Sequence, residues 1–223
     1  MHAMVYEFCA ENFTKVPEAI AAGAGRIELC DNLAVGGTTP SSGTIRQTIA
    51  YAHARSVPVM CMVRPRGGDF VYSECELQMM EEDAACALGL GADGIVLGCL
   101  AGESGSYKVS FPDVERILAA ARKGRERPFA VTFHMAFDEL APDEQLRAID
   151  ALSGLGVTRI LTHGGVAGTA IEDNIAHLQD LIAYAGERLR ILPGGGITWQ
   201  NRDAIARALG ADELHGTRIV PLE

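Results

Sequence analysis

Apolar residues in this chain fall into short runs separated by stretches with helical period. Eight runs read as strands: VYEFCA at 5–10, GAGRIEL at 23–29, VPVMCMV at 57–63, GADGIVLG at 91–98, FAVTFHMAF at 129–137, GVTRILTHGG at 156–165, LRILPGGGI at 189–197 and GADELHG at 210–216. Four of them open with glycine and a small residue, the mark of a helix ending as a strand begins. The segments between carry helical stripes. Ile45, Ile49 and Ala52 share a face, as do Leu77, Met80, Ala84 and Leu88; Val114, Ile117, Leu118 and Ala121 form a third stripe, and Ile171, Ile175, Leu178 and Ile182 a fourth. Ser110 and Asp113 have capping-box spacing, Pro112 suits a first turn, and Thr198 precedes the helical stretch WQNRDAIARAL.

Strict alternation of strand and helix implies parallel strands joined by right-handed crossovers, and eight strands in 223 residues favour a closed (β/α)8 TIM barrel over an open sheet. The whole chain, 1–223, is expected to form one domain. Too few residues follow the eighth strand for a last helix, so the flank between strands eight and one is expected to be bare. Either a second copy covers it, giving a homodimer or higher homo-oligomer, or the first and seventh helices close over it.

Charge and composition narrow the partners. With 19 basic against 29 acidic residues the formal charge is −10, and no basic run or RNA-reading motif appears, so a nucleic-acid partner is not expected. No apolar stretch reaches the roughly 20 residues that span a bilayer, and the first residues lack a secretory pattern, so the expected location is the cytoplasm, with no membrane partner. The six cysteines show no CxxC pair and read as reduced thiols. No P-loop, dinucleotide-binding fingerprint or nucleophile elbow is present, so no nucleotide cofactor is expected.

In a barrel strand alternate side chains face the interior, and those at the carboxyl end line the mouth. This parity places Glu7 and Cys9 inward from the first strand and Glu28 and Cys30 from the second. It adds Met62, Arg64 and Arg66, then Thr132 and His134, Thr162, and finally Glu213 and His215. Arg64 is expected either to partner the inward carboxylates or to bind substrate; the charges could equally form a purely structural lattice. Gly194, Gly195 and Gly196 follow the seventh strand, and Gly216 and Thr217 the eighth, where barrels often hold anions. With Arg66 they form a candidate anion site, although glycines also serve tight turns.

The stretches RIELCDNLAVGGTTPSSGTI, VRPRGGDFVYSECE, TFHMAFDE, RILTHGG and PGGGIT, with EFCAEN and ELHGT at either end, closely resemble the signatures of the CutC family. The resemblance runs from about residue 5 to 217. It implies a cytoplasmic, often oligomeric TIM barrel that participates in the control of copper homeostasis. It also implies Cu(I) ligation by Cys9 and Cys30, which parity independently puts on neighbouring strands, about 5 Å apart if in register. Thiolates suit Cu(I), with Met62 or His134 as a further donor; against this, the carboxylates Glu7 and Glu28 oppose thiolate formation, and the two cysteines could simply pack at the rim. The chain departs from the family pattern at Met135, where arginine is usual, and at His163, where serine is common; parity turns both toward the helices. The alternative to copper handling is an enzyme acting on a small anionic or phosphorylated substrate, with Glu7, Glu28, Arg64, His134 and His215 as catalytic candidates.

Overall fold

The computed structural model describes residues 4–166 and 168–222. The elements run β1 (Val5–Glu11), α1 (Val16–Ala21), β2 (Arg26–Cys30), α2 (Ser42–His53), β3 (Val59–Met62), α3 (Glu74–Gly89), β4 (Gly94–Leu97), β5 (Leu100–Ala101), β6 (Lys108–Val109), α4 (Phe111–Arg122), β7 (Ala130–Phe133), α5 (Pro142–Gly154), β8 (Arg159–Thr162), α6 (Ile175–Ala185), β9 (Arg190–Pro193), α7 (Arg202–Leu209) and β10 (Glu213–Gly216). Eight parallel strands in the order β10, β1, β2, β3, β4, β7, β8, β9 make a nearly closed barrel. The expected eight strands are these eight. The small antiparallel pair β5 and β6 is an addition, too short to show a period.

Alternation along the strands divides the interior into two regions. Phe8, Ile27, Leu29, Cys61, Ile95 and Phe133 point outward and join the helix stripes in one continuous core. Cys9, Cys30, Met60, Met62 and Val96 point inward and form a separate cluster inside the barrel. The stripes of α2, α3 and α4 are buried as their spacing requires. On α6 the face is rotated, with Leu178, Leu181 and Ala185 buried and Ile175 and Ile182 half-buried, because the helix starts only after a separate 3-10 turn at Ile171–Asn174. Two start signals are also read differently by the chain. Ser110 donates its hydroxyl to the Asp113 carboxylate at 2.5 Å and caps no amide, whereas Ser73 and Glu76 form a full capping box on α3. Asn201, not Thr198, ends next to the first turn of α7, and its side chain accepts from the Thr198 amide at 2.8 Å.

No helix follows β10 among the described residues. Instead the chain tucks Ile219 and Val220 into the core, and Arg202 holds the Ile219 carbonyl at 2.6 Å. On the outer face of β1, the Tyr6 hydroxyl donates to Asp203 at 2.8 Å beneath the Arg202 guanidinium, 3.8 Å from the ring centre. The tail and α7 therefore cover part of the flank that was expected to be bare. No helix among the described residues is long and apolar enough to cross a membrane.

Gly94, at the start of β4, shows how closely the barrel interior is filled. A β-carbon there would run into Met60 Cε and the carbonyl oxygen of Ala130 on the neighbouring strand. Gly94→Ala is predicted to destabilise the protein by about 2 kcal/mol or more, since backbone cannot move aside as a side chain can. Urea unfolding measures this, and a loss under ~0.5 kcal/mol would show that the strands are not packed this way.

Candidate active site and metal centre

The floor of the barrel mouth is a continuous chain of buried charge. Arg26, at the start of β2, pairs through Nε with Glu7 Oε2 and through Nη2 with Glu213 Oε2 at 2.7 Å. Arg159, at the start of β8, adds a second cation to Glu213 at 2.7 Å. At the other end His215 Nδ1 lies 2.8 Å from Glu7 Oε1, and its Nε2 lies 3.6 Å from Glu28 Oε2. Removing such groups from water is favourable only when each finds a partner. Three carboxylates face two guanidiniums here, so charge balance leaves one proton to be held between Glu28 and His215.

The environment divides the two glutamates. Burial would raise the Glu7 carboxyl, but Arg26 and His215 outweigh it and hold the pKa at about 2. Burial pushes Glu28 upward, His215 opposes this and Glu7 adds to it, and Oε1 of Glu28 has no hydrogen-bond partner among the described residues. Burial disfavours the His215 cation, yet Glu28, Cys9 and Glu7 together push its pKa up. A histidine bridging an ionised carboxylate and one of higher basicity can take up or release a proton at the cavity floor.

Arg64 does not partner these carboxylates, contrary to one of the two sequence expectations. It is 4% exposed, and its guanidinium donates to the carbonyl oxygens of Val35, Gly37 and Gly68 at 3.0, 3.0 and 2.8 Å. Arg26 and Arg159 do that work, and both were readable: each lies two residues before an inward position, Glu28 and Leu161. Arg66 leaves the barrel altogether. It is half-exposed, tied to Glu76 at 2.5 Å and Asp69 at 3.1 Å, and does not line the cavity. Thr162 also departs from its expected place. It shares the outward face of Ile160, and its hydroxyl bonds Asp138. Met135 lines the cavity and does not face the helices, because the 3-10 turn Met135–Glu139 begins directly after His134 and strand parity ends there. His163 is buried behind the rim, with Nδ1 3.1 Å from the Gly195 carbonyl and 3.3 Å from that of Gly194.

Above the floor opens a cavity of about 370 Å³, within the range of small-molecule sites. Cys9, Glu28, Cys30, Met62, His134 and His215 all line it. The cysteines are not opposite one another: Cys9 pairs with Glu28 across the β1–β2 ladder, and Cys30 pairs with Glu11. They nevertheless share a face one step apart, and a ligating atom from each of Cys9, Glu28 and Cys30 lies within 4.8 Å of the others. Glu7, Glu28 and His215 meet the same condition. Hydrogen bonding to Cys30 and burial push the Cys9 thiol well up; for Cys30 the bond to Cys9 pulls down, but burial and Glu28 prevail and push it up to about 12.

His134 stands on the wall with its protonation state fixed by geometry. Its Nδ1 accepts from the Ala136 amide at 3.2 Å, so the ring proton sits on Nε2. Burial, with Arg64 adding to it, lowers its pKa to about 3, so the ring is neutral. Its place against β4 depends on Gly98, where a β-carbon would meet the ring at 2.5 Å. The glycines after the last two strands also take distinct places. Gly195, Gly196, Gly216 and Thr217 line the cavity, whereas Gly194 packs beneath, against Leu161 and His215.

The family model described as the CutC family matches residues 4–220. The chain belongs to the CutC family. A relative from Enterococcus faecalis, named as a family protein CutC, is 55% identical over 217 residues, covering 97% of this chain and all of its own length. A human relative, named copper homeostasis protein cutC homolog, is 37% identical over 214 residues, covering 96% of this chain and 73% of its own. The crystal structure of CutC from Streptococcus agalactiae superposes with a TM-score of 0.90 at 43% identity, covering 97% of this chain and all of that one.

Glu7→Gln is predicted to cost about 3 kcal/mol or more at neutral pH by leaving Arg26 with Glu213 alone and His215 without the anion at Nδ1. Because folding lowers the Glu7 pKa from 4.5 to about 2, its stabilisation is complete above the unfolded value and disappears as pH falls toward 2. Urea titrations at pH 7 and pH 3 are therefore expected to show the gap between wild type and variant narrowing at the lower pH. A gap that stays constant or widens would contradict the assigned ion pair.

Proposed function

We propose that this chain participates in copper homeostasis by holding Cu(I) between Cys9 and Cys30 at the floor of the barrel mouth. The observation that carries this reading is the convergence of the two thiols and Glu28 within 4.8 Å in one buried cluster. Sulfur donors suit Cu(I) over harder divalent ions, and Met62 brings a thioether to the same cavity. The names of the mouse and human relatives, copper homeostasis protein cutC homolog, favour copper as the cargo.

Both thiols have raised pKa values, so they carry protons at neutral pH and must lose them to bind metal. Cys30 already directs its thiol at Glu28 Oε2, 3.6 Å away, and His215 stands beside the same carboxylate. The cluster thus contains acceptors for the displaced protons, and Glu28 supplies negative charge next to the bound cation.

An anaerobic titration of Cu(I) against a chromophoric chelator tests the reading. The wild type is expected to compete for one Cu(I) per chain and the Cys9→Ser/Cys30→Ser double variant to fail. Affinity is expected to rise with pH, toward about a hundredfold per unit if both protons leave the protein. Equal competition by the double variant, or binding independent of pH, would remove the site from these cysteines.

A further inference from the structure

The cavity floor balances its own charges, but the wall does not. Arg64 is nearly fully buried, bonds only carbonyl oxygens, and has no ion-pair partner among the described residues; its Nε has no acceptor either. A buried guanidinium without a counter-charge is unfavourable unless something else supplies the charge. Beside it the protonated Nε2 of His134 also lacks an acceptor, and Phe70 packs against both, 4.8 Å from the Arg64 guanidinium and 4.9 Å from the His134 ring. These are hard donors suited to oxygen, and soft-metal ligation at the cysteines uses neither.

The other side of the mouth is built for an anion. In the ring of eight strands β9 stands four places from β3, so the loop after β9 faces Arg64 across the cavity. Gly195 and Gly196 there have φ of 80° and 79°, and a β-carbon on Gly196 would meet nothing within 4 Å. The amides of Gly195, Gly196 and Thr217 have no acceptor among the described residues, nor do the Thr217 hydroxyl and the Arg218 guanidinium have partners there, while the Arg218 backbone is held in a parallel bridge with Thr198. Free amides on a glycine turn beside an arginine match the four oxygens of a phosphate group.

We propose that the mouth binds a small organic phosphate, with its phosphate among Gly195, Gly196, Thr217 and Arg218 and an oxygen-bearing far end, such as a carboxylate, at Arg64 and His134. The ligand spans the cavity above Cys9 and Cys30 and needs neither thiol nor copper. Its negative far end supplies the charge that Arg64 lacks, and its oxygen takes the His134 Nε2 proton. The assignment of the glycine loops as an anion site thereby gains a substrate class, and Arg64, not Arg66, is the arginine that serves it.

Calorimetric titration of the metal-free, reduced protein tests this with inorganic phosphate, glycerol 3-phosphate and 3-phosphoglycerate as probes. 3-Phosphoglycerate is expected to bind tightest and inorganic phosphate weakest. Arg218→Glu, an exposed change that leaves the core untouched, is expected to weaken all three at least about tenfold, whereas His134→Phe weakens the organic phosphates and spares inorganic phosphate. The Cys9→Ser/Cys30→Ser variant is expected to bind as the wild type does, which separates this site from the copper reading. Binding of none of the probes at millimolar concentration, or binding unaffected by Arg218→Glu, would overturn the proposal.

Discussion

The pairing of Arg26 with Glu7 and Glu213 is the interaction on which the interior of this barrel depends. It joins three neighbouring strands, β10, β1 and β2. Without that guanidinium two buried carboxylates would face each other with only Arg159 and His215 nearby. With it, Glu7 is fixed as an anion, His215 is oriented through Nδ1, and the second imidazole nitrogen is turned toward Glu28. Burial is what raises Glu28; His215, held by Glu7, opposes it, and the negative charge of Glu28 adds to the burial that keeps Cys9 and Cys30 protonated.

Two kinds of chemistry meet in the resulting cavity. Along β1, β2 and β3 the donors are soft: two thiols and the Met62 thioether. Just past the end of β3, and around the rest of the wall and rim, they are hard: a buried guanidinium, a neutral imidazole proton and unpaired amides. Glu28 and His215 lie between the two sets and serve either, as proton acceptors for thiols that bind metal or as polar contacts beneath an oxygen-rich ligand. A chain carrying a formal charge of −10 would repel anions over most of its surface, so a cation at the rim and another on the wall give an anion a defined place to enter.

The fold was legible from the alternation of glycine-led apolar runs and helical stripes, because a parallel barrel repeats one physical unit eight times. Within strands, parity located Glu7, Cys9, Glu28, Cys30 and His215 on the inner face. It failed where strands end: Arg66 and Met135 lie past the last paired residue, where turns set direction. Thr162 shares the outward face of Ile160, a parity that could have been read and was assigned to the wrong side. Arg26 was missed because it opens its strand and looked like a boundary residue, although it lies two positions before Glu28; Arg159 was missed together with Thr162, since turning Thr162 inward turns Arg159 outward. The carbonyl cage around Arg64 was beyond reach, since Val35, Gly37 and Gly68 belong to loops whose paths depend on one another.

Cys9 and Cys30 converge above the charged floor, and in the proposed copper role they act as one soft site under the mouth. X-ray absorption at the copper edge, on protein loaded with one Cu(I) under anaerobic conditions, addresses it most directly. Sulfur neighbours around copper, falling away when Cys9 and Cys30 are both replaced by serine, are the predicted result. A first shell of nitrogen and oxygen alone, or a sulfur signal that survives the double replacement, would contradict it.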